Sequence, residues 1–228
     1  AFASFAFDNA QTMLAAMIRI LREGLATRVF SMDQAKSKDA TSIGIGEAID
    51  ITGAVARRAG SLTQMLKDVT QLALGPRELG RASWSLHCVA EGLTEALAQM
   101  HLALARDVCR EGGTEIDNVL PKTLRAKPYS IRGFVGPDGE RWVPVHGIVP
   151  LSRAQECMAA LQEHFTTHAE SLAALGIAHS WMISSVGAYV TIEPMLYWRD
   201  ALDPIHLARL SERNRARFGS FAVNSAAR

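Results

Sequence analysis

No apolar run in this sequence approaches the roughly 18 residues needed to cross a bilayer. The first residues also lack the basic stretch and apolar core of a signal peptide. A membrane span is therefore not expected, and a cytoplasmic setting is. Cysteine is scarce: Cys88, Cys109 and Cys157 are the only three, widely spaced and without a CxxC pair. That pattern excludes a disulfide framework and a thiolate metal site. A bias toward one sign of charge is missing too, with 24 basic and 23 acidic residues giving a formal net charge of +1. Such a balance leaves no electrostatic footprint for a polyanion, so no nucleic-acid partner is expected. The one basic cluster, Arg209, Arg213, Arg215 and Arg217, is interrupted by Glu212 and reads as a solvated helix face.

Familiar site motifs are also lacking. Gly44-Ile45-Gly46 is too short for a dinucleotide fingerprint and has no clear strand before it. His164 and His168 stand four apart on a helical stretch, but HFTTH lacks the glutamate of HExxH and no third ligand is evident, so no metal is expected. What is present is an ordinary globular balance: 228 residues, 48% apolar and 21% charged. That is enough for one closed core, and residues 1–228 are read as a single domain. The sequence opens at Ala1 inside a strand-like stretch, which suggests a piece of a longer chain.

Ala1 to Phe7 alternates like a strand, and an amphipathic helix runs from Asp8 or Asn9 to Glu23, stopped by Gly24. Thr27 to Met32 returns as a strand. Helix-like stretches from Ala35 to Leu74 are broken at Gly44, Gly46, Gly53 and Gly60 and closed by Gly75-Pro76. Ser83 to Glu91 alternates again, and Thr94 to Glu111 is a helix with Leu97, Met100, Leu104 and Val108 at spacings of three and four. Thr114 to Gly139 reads as loop, ending in the turn Gly136-Pro137-Asp138-Gly139. A strand over Arg141 to Val149, a helix to about Leu175, strands over Ala178 to Val186 and Ala188 to Trp198, and a helix over Pro204 to Phe218 finish the chain. The recurring order predicts an α+β fold in which two ferredoxin-like units share a mostly antiparallel sheet with helices on one face.

Alternation sorts the strand residues into two rows. Trp84, Leu86, Cys88 and Ala90, with Val143, Val145, Val149, Val190, Ile192 and Leu196, form the apolar row expected beneath the helices. The opposite row holds His87, Val89 and Glu91; Trp142, Pro144, His146 and Ile148; and Tyr189, Thr191, Glu193, Met195 and Tyr197. Aromatic and titratable residues on one face mark a ligand or partner surface. This face is expected to stand open and to cover something.

The segments GGTEIDNVLPKTLRAKPY (Gly112 to Tyr129), GPDGERWVPVHGIVPLSRA (Gly136 to Ala154), SLHCVAEG (Ser85 to Gly92) and IEPMLYWRD (Ile192 to Asp200) resemble stretches of the cap domain of the vanillyl-alcohol oxidase and 4-cresol dehydrogenase family. That family is related to the glycolate oxidase and D-lactate dehydrogenase flavoproteins. The resemblance implies a substrate-covering domain, the C-terminal part of a FAD-linked oxidase, whose flavin-binding domain lies elsewhere on the same polypeptide. It implies hydride transfer to FAD from a phenolic or aromatic alcohol, or from a 2-hydroxy acid. The phenolic class ranks first because the GDGN-like run of the hydroxy-acid branch is missing. On the expected open face the candidates for catalysis are His146, Glu193 and Tyr197, which can position a hydroxyl or take a proton. His87, Glu91, Trp142, Tyr189 and Met195 are expected to face substrate or cofactor. The alternative is a non-catalytic ferredoxin-like module that binds a ligand or a second copy of the chain.

Overall fold

The computed structural model describes residues 1–41, 79, 81–126, 139–210 and 212–225. The first strand, β1 (Phe2–Phe7), sends Ala3, Phe5 and Phe7 to one face and Ser4 to the other, and all four are buried. Helix α1 (Ala10–Arg22) starts at Asn9, whose Oδ1 accepts the Thr12 N–H at 2.9 Å, and buries Met13, Leu14, Met17, Ile18 and Ile20 along one side. Gly24, at φ +64°, reverses the chain into β2 (Arg28–Asp33), and α2 (Gln34–Thr41) follows without a loop. The first half continues with β3 (Trp84–Val89), α3 (Glu95–Arg110), β4 (Thr114–Ile116) and α4 (Val119–Ala126). The second half holds β5 (Arg141–Pro144), β6 (Gly147–Pro150), α5 (Ala154–Thr167), α6 (Ala169–Ala174), β7 (Ala178–Val186), β8 (Tyr189–Trp198), α7 (Pro204–Arg209) and α8 (Glu212–Phe218).

The strands form one eight-stranded antiparallel sheet in the order β4-β1-β3-β2-β7-β8-β5, with β6 also on β8. The stretch β4-β1-β3-β2, with α1 crossing from β1 to β2 and α3 from β3 to β4, is a ferredoxin-like unit. The order β7-β8-β6, with α5 crossing between β6 and β7, repeats its strand-helix-strand-strand part. Pairing of β2 with β7, Ser31 opposite Ile183, joins the two into the shared sheet that the sequence predicts.

The three long helices α1, α3 and α5 pack on one face. Their core gathers Phe5, Phe7, Met17, Leu86, Cys88, Leu102, Met158, Trp181, Ile183 and Ile192. The opposite face is open only in part. Leu79 and Leu120, the latter from α4, cluster there with Phe30 and Met32, and α2 lies across β2, β3 and β7.

Several elements differ from the sequence reading, each for a local reason. The expected strand over Arg141 to Val149 is split, and β5 and β6 both pair with β8 on either side of Val145-His146. Val145 N–H still donates to Pro194 O at 3.0 Å, but Pro194 has no N–H to return, so the ladder opens there. Within the expected loop, β4 pairs with β1 and α4 begins just before Pro121, a first-turn position where proline is tolerated. The last two expected helices are each interrupted, at His168 (φ −99°, ψ 12°) and at Leu210, whose ψ of 145° is extended. Helix α3 is rolled from the expected stripe, of which Val108 alone is buried. Ala98, Leu102, Ala105, Val108 and Cys109 face the core, while Leu97, Met100 and Leu104 face outward. Small alanines on the inner side let the helix approach closely, and spacing alone cannot choose between two apolar stripes. The expected irregular helices over 42–74, Gly44-Ile45-Gly46, Gly75-Pro76, most of the Gly136 to Gly139 turn and residues 127–129 lie outside the described residues. Among the described residues no helix is long and apolar enough to cross a membrane.

Candidate functional site

Strand register decides which candidate residues meet. Trp142 stands opposite Tyr197 and Pro144 opposite Met195, so β5 and β8 bring Trp142, Met195 and Tyr197 onto one patch of the second face. Glu193 is on the same face of β8, opposite Met182 of β7. His146 sits in the opening between β5 and β6, and its charge together with that of Lys36 favours ionised Glu193. Burial outweighs both and pushes the Glu193 carboxyl above the usual carboxylate range.

Lys36, which no sequence motif marks, stands at the centre of the patch. Its backbone N–H donates to Asp33 Oδ1 at 2.8 Å, so Asp33 caps the start of α2. Burial raises the Asp33 carboxyl, opposed by its backbone hydrogen bonds and by Lys36. Lys36 Nζ donates to the Tyr197 hydroxyl at 3.3 Å and lies 5.9 Å from the centres of both the Trp142 and the Tyr197 rings. Ser180 Oγ, buried on β7, also donates to the Tyr197 oxygen, at 3.2 Å. The Tyr197 proton is left with Met195 Sδ at 3.7 Å, a weak acceptor. The Trp142 indole N–H is buried and meets no acceptor among the described residues. Sequence reasoning misses Lys36 because QAKSKDAT reads as an ordinary polar helix.

The other candidates lie apart. Tyr189 is on the same face but eight residues along β8 from Tyr197, roughly 26 Å at strand rise. It is exposed there near Ile148 and Val186. Glu91 lies beyond the end of β3, where it lines a 430 Å³ cleft with Phe2, Arg28, Phe30, Leu124 and Arg125. His87 is on the expected face but three strands from β8, roughly 14 Å at strand spacing. Its expected exposure does not hold: His87 is 0% exposed, with Phe30 stacked on its ring at 4.8 Å. Met195 is likewise 0% exposed, beneath the Tyr197 hydroxyl. The second face is therefore covered in its middle, half-buried at Thr191, Glu193 and Tyr197, and exposed at Tyr189.

His87 belongs to a buried polar chain. Its Nδ1 is 2.9 Å from Ser4 Oγ and its Nε2 is 3.1 Å from Ser85 Oγ. Ser85 Oγ donates to Met32 O and lies 3.2 Å from Ser37 Oγ on α2. With its proton on Met32 O, Ser85 accepts from His87 Nε2–H, and Nδ1 then accepts from Ser4. Burial lowers the His87 pKa to about 3, so the ring is neutral. Among the described residues no group of three or more His, Cys, Asp or Glu side chains could hold a metal ion.

The sequence matches no protein-family model and no curated protein. Solved structures are similar over most of the chain. Alkyldihydroxyacetonephosphate synthase, in two crystal forms, superposes with TM-scores of 0.54 and 0.51 at 12% identity, over 86% of this chain. p-Cresol methylhydroxylase with substrate bound superposes with a TM-score of 0.52 at 13% identity, over 98% of this chain. The chain shares their fold. It spans 35% and 36% of the synthase chains and 45% of the methylhydroxylase chain, so each neighbour is more than twice as long as the matched region.

Proposed function

We propose that this chain is the substrate-covering domain of a FAD-dependent oxidoreductase, and that the flavin is held by a further domain of the same polypeptide. The observation that carries the reading is the patch of Trp142, Tyr197, Lys36, Glu193 and His146 on the side of the sheet away from the three long helices. An aromatic surface with one cation, one carboxylate of raised pKa and a buried indole N–H that meets no acceptor among the described residues fits a planar, oxygen-bearing ligand. The fold supports the reading, since p-cresol methylhydroxylase, with substrate bound, shares it.

FAD, when bound, supplies the hydride acceptor, and the protein's share is orientation, charge placement and exclusion of water. In this chain Tyr197 would donate its proton to an oxygen of the substrate. Lys36 would offset negative charge at that oxygen. Glu193, with His146 beside it, would hold or take the proton released from the substrate hydroxyl. Trp142 would shield the ring from solvent. A phenolic or aromatic alcohol suits these residues best, with a 2-hydroxy acid second.

The test is a substrate screen of the full-length polypeptide with an artificial electron acceptor. Phenolic alcohols are expected to reduce the acceptor fastest, and rapid reduction by D-lactate or glycolate alone would overturn that ranking. The alternative, a non-catalytic ligand-binding or dimerisation module, draws on the outward stripe of Leu97, Met100 and Leu104 on α3.

A further inference from the structure

We infer that the cleft beneath α4, on the β1-β3-β2 part of the sheet and away from the Trp142–Tyr197 patch, is a binding site for an aromatic carboxylate. Strand register builds it. Phe2 of β1 and Arg28 of β2 both stand opposite Val89 of β3, so alternation puts all three on the second face with Phe30. Leu124 and Arg125 of α4 close the other side, and the enclosed volume of 430 Å³ lies within the range of small-molecule sites. Phe30 walls the cleft off from the sealed middle of the face, with its ring stacked on the His87 imidazole at 4.8 Å.

The lining sets the chemistry of the ligand. Phe2, Phe30 and Leu124 offer an apolar bed for a flat body. Arg28 and Arg125 share the cleft with one carboxylate, Glu91, which leaves a positive excess matched to a monoanion. Arg125 lies over the Phe2 ring, 5.6 Å from its centre, and adds charge on the aromatic side. The Arg28 guanidinium meets no carboxylate and no hydrogen-bond acceptor among the described residues, whereas Arg106, Arg110 and Arg141 are each paired with a carboxylate. Its planar fork of donors fits both oxygens of a carboxylate at once. Glu91 repels a second negative charge, which disfavours dianions such as phosphate monoesters.

This site does not depend on the flavin reading of the chain, and neither does its test. The probes are 2-naphthoate and its neutral isostere 2-naphthamide, titrated calorimetrically into the 228-residue chain at pH 7. The wild type is expected to bind the carboxylate about tenfold more tightly than the amide, or better, the worth of a hydrogen bond to a charged group. Arg28→Met should remove that preference and keep amide binding, since Arg28 is exposed at the start of β2 and its loss leaves the core untouched. Glu91→Gln should tighten the carboxylate and not the amide. Lys36→Met, on the other patch, should change neither. No binding by the wild type, equal affinity for carboxylate and amide, or equal loss of both in Arg28→Met overturns the site. Loss of the carboxylate in Lys36→Met but not in Arg28→Met would put the anion on the β5–β8 patch, and that result overturns it as well.

Discussion

Between pH 7 and pH 4.5 the wild-type chain is expected to lose roughly 2 to 3 kcal/mol of folding stability through His87 alone. The folded ring has a pKa of about 3 because it is buried, while an unfolded histidine titrates near 6.5. In that window the unfolded chain binds a proton that the folded chain refuses, so stability is full above pH 6.5 and falls as pH drops toward 3. The reason is visible in the partners. A neutral imidazole matches one donor and one acceptor among the flanking hydroxyls, whereas an imidazolium would need two acceptors while Ser4 and Ser85 are held in the roles described. Burial raises Asp33 and Glu193, which therefore work in the opposite direction and favour the folded state as pH falls. Comparing urea unfolding of the wild type with His87→Gln cancels those contributions. The gap between the two proteins should narrow by roughly 2 to 3 kcal/mol from pH 7 to pH 4.5. Parallel pH profiles would show that His87 is not buried neutral.

Arg141→Met is expected to destabilise the chain by about 3 kcal/mol or more. Asp200 is 0% exposed, and its Oδ1 accepts the backbone N–H groups of Ala201 at 2.7 Å and Asn224 at 2.9 Å. Arg141 supplies the charge that offsets it: Nε lies 3.1 Å from Asp200 Oδ2 and Nη1 lies 3.0 Å from Asp203 Oδ2. Nη2 adds a hydrogen bond to Ala201 O at 2.7 Å. Removing the guanidinium takes an ion-pair partner from a buried carboxylate, which costs far more than the loss of an exposed ion pair. The exposed pair Arg153–Glu156 provides the contrast, since Arg153→Met should leave stability nearly unchanged. Chemical denaturation at pH 7 measures both. Equal, small effects would mean that Arg141 is not the clamp between β5 and the segment after β8. That clamp also keeps Trp142 in register beside Tyr197.

Much of the fold is legible in the sequence because alternation in strands is a strong signal. FASFAF, SWSLHCV and YVTIEPMLYW each declare two faces, and the register confirms the sorting of Leu86 from His87 and of Ile192 from Glu193 and Tyr197. What alternation cannot say is what lies on each face. It puts His87 on the correct side of the sheet and leaves it open, yet His87 is sealed in the covered middle of that face. Nothing local announces that a polar helix such as QAKSKDAT will dock over Ser85 by a serine contact. Lys36 escapes notice for the same reason, since its role comes from tertiary placement over β8 rather than from any motif. Helix α3 shows the limit of periodicity: it carries two apolar stripes, and the one with alanines packs inward because it permits closer approach. The break between β5 and β6 is readable in principle, because Pro194 cannot donate to the ladder, but the partner strand has to be known first.

The most direct measurement of the central claim is the visible absorption spectrum of the full-length polypeptide after saturation with FAD and removal of free cofactor. The account predicts a yellow protein with stoichiometric flavin, bleached by its substrate, and an isolated 228-residue chain that stays colourless under the same treatment. A full-length polypeptide that remains colourless would contradict it.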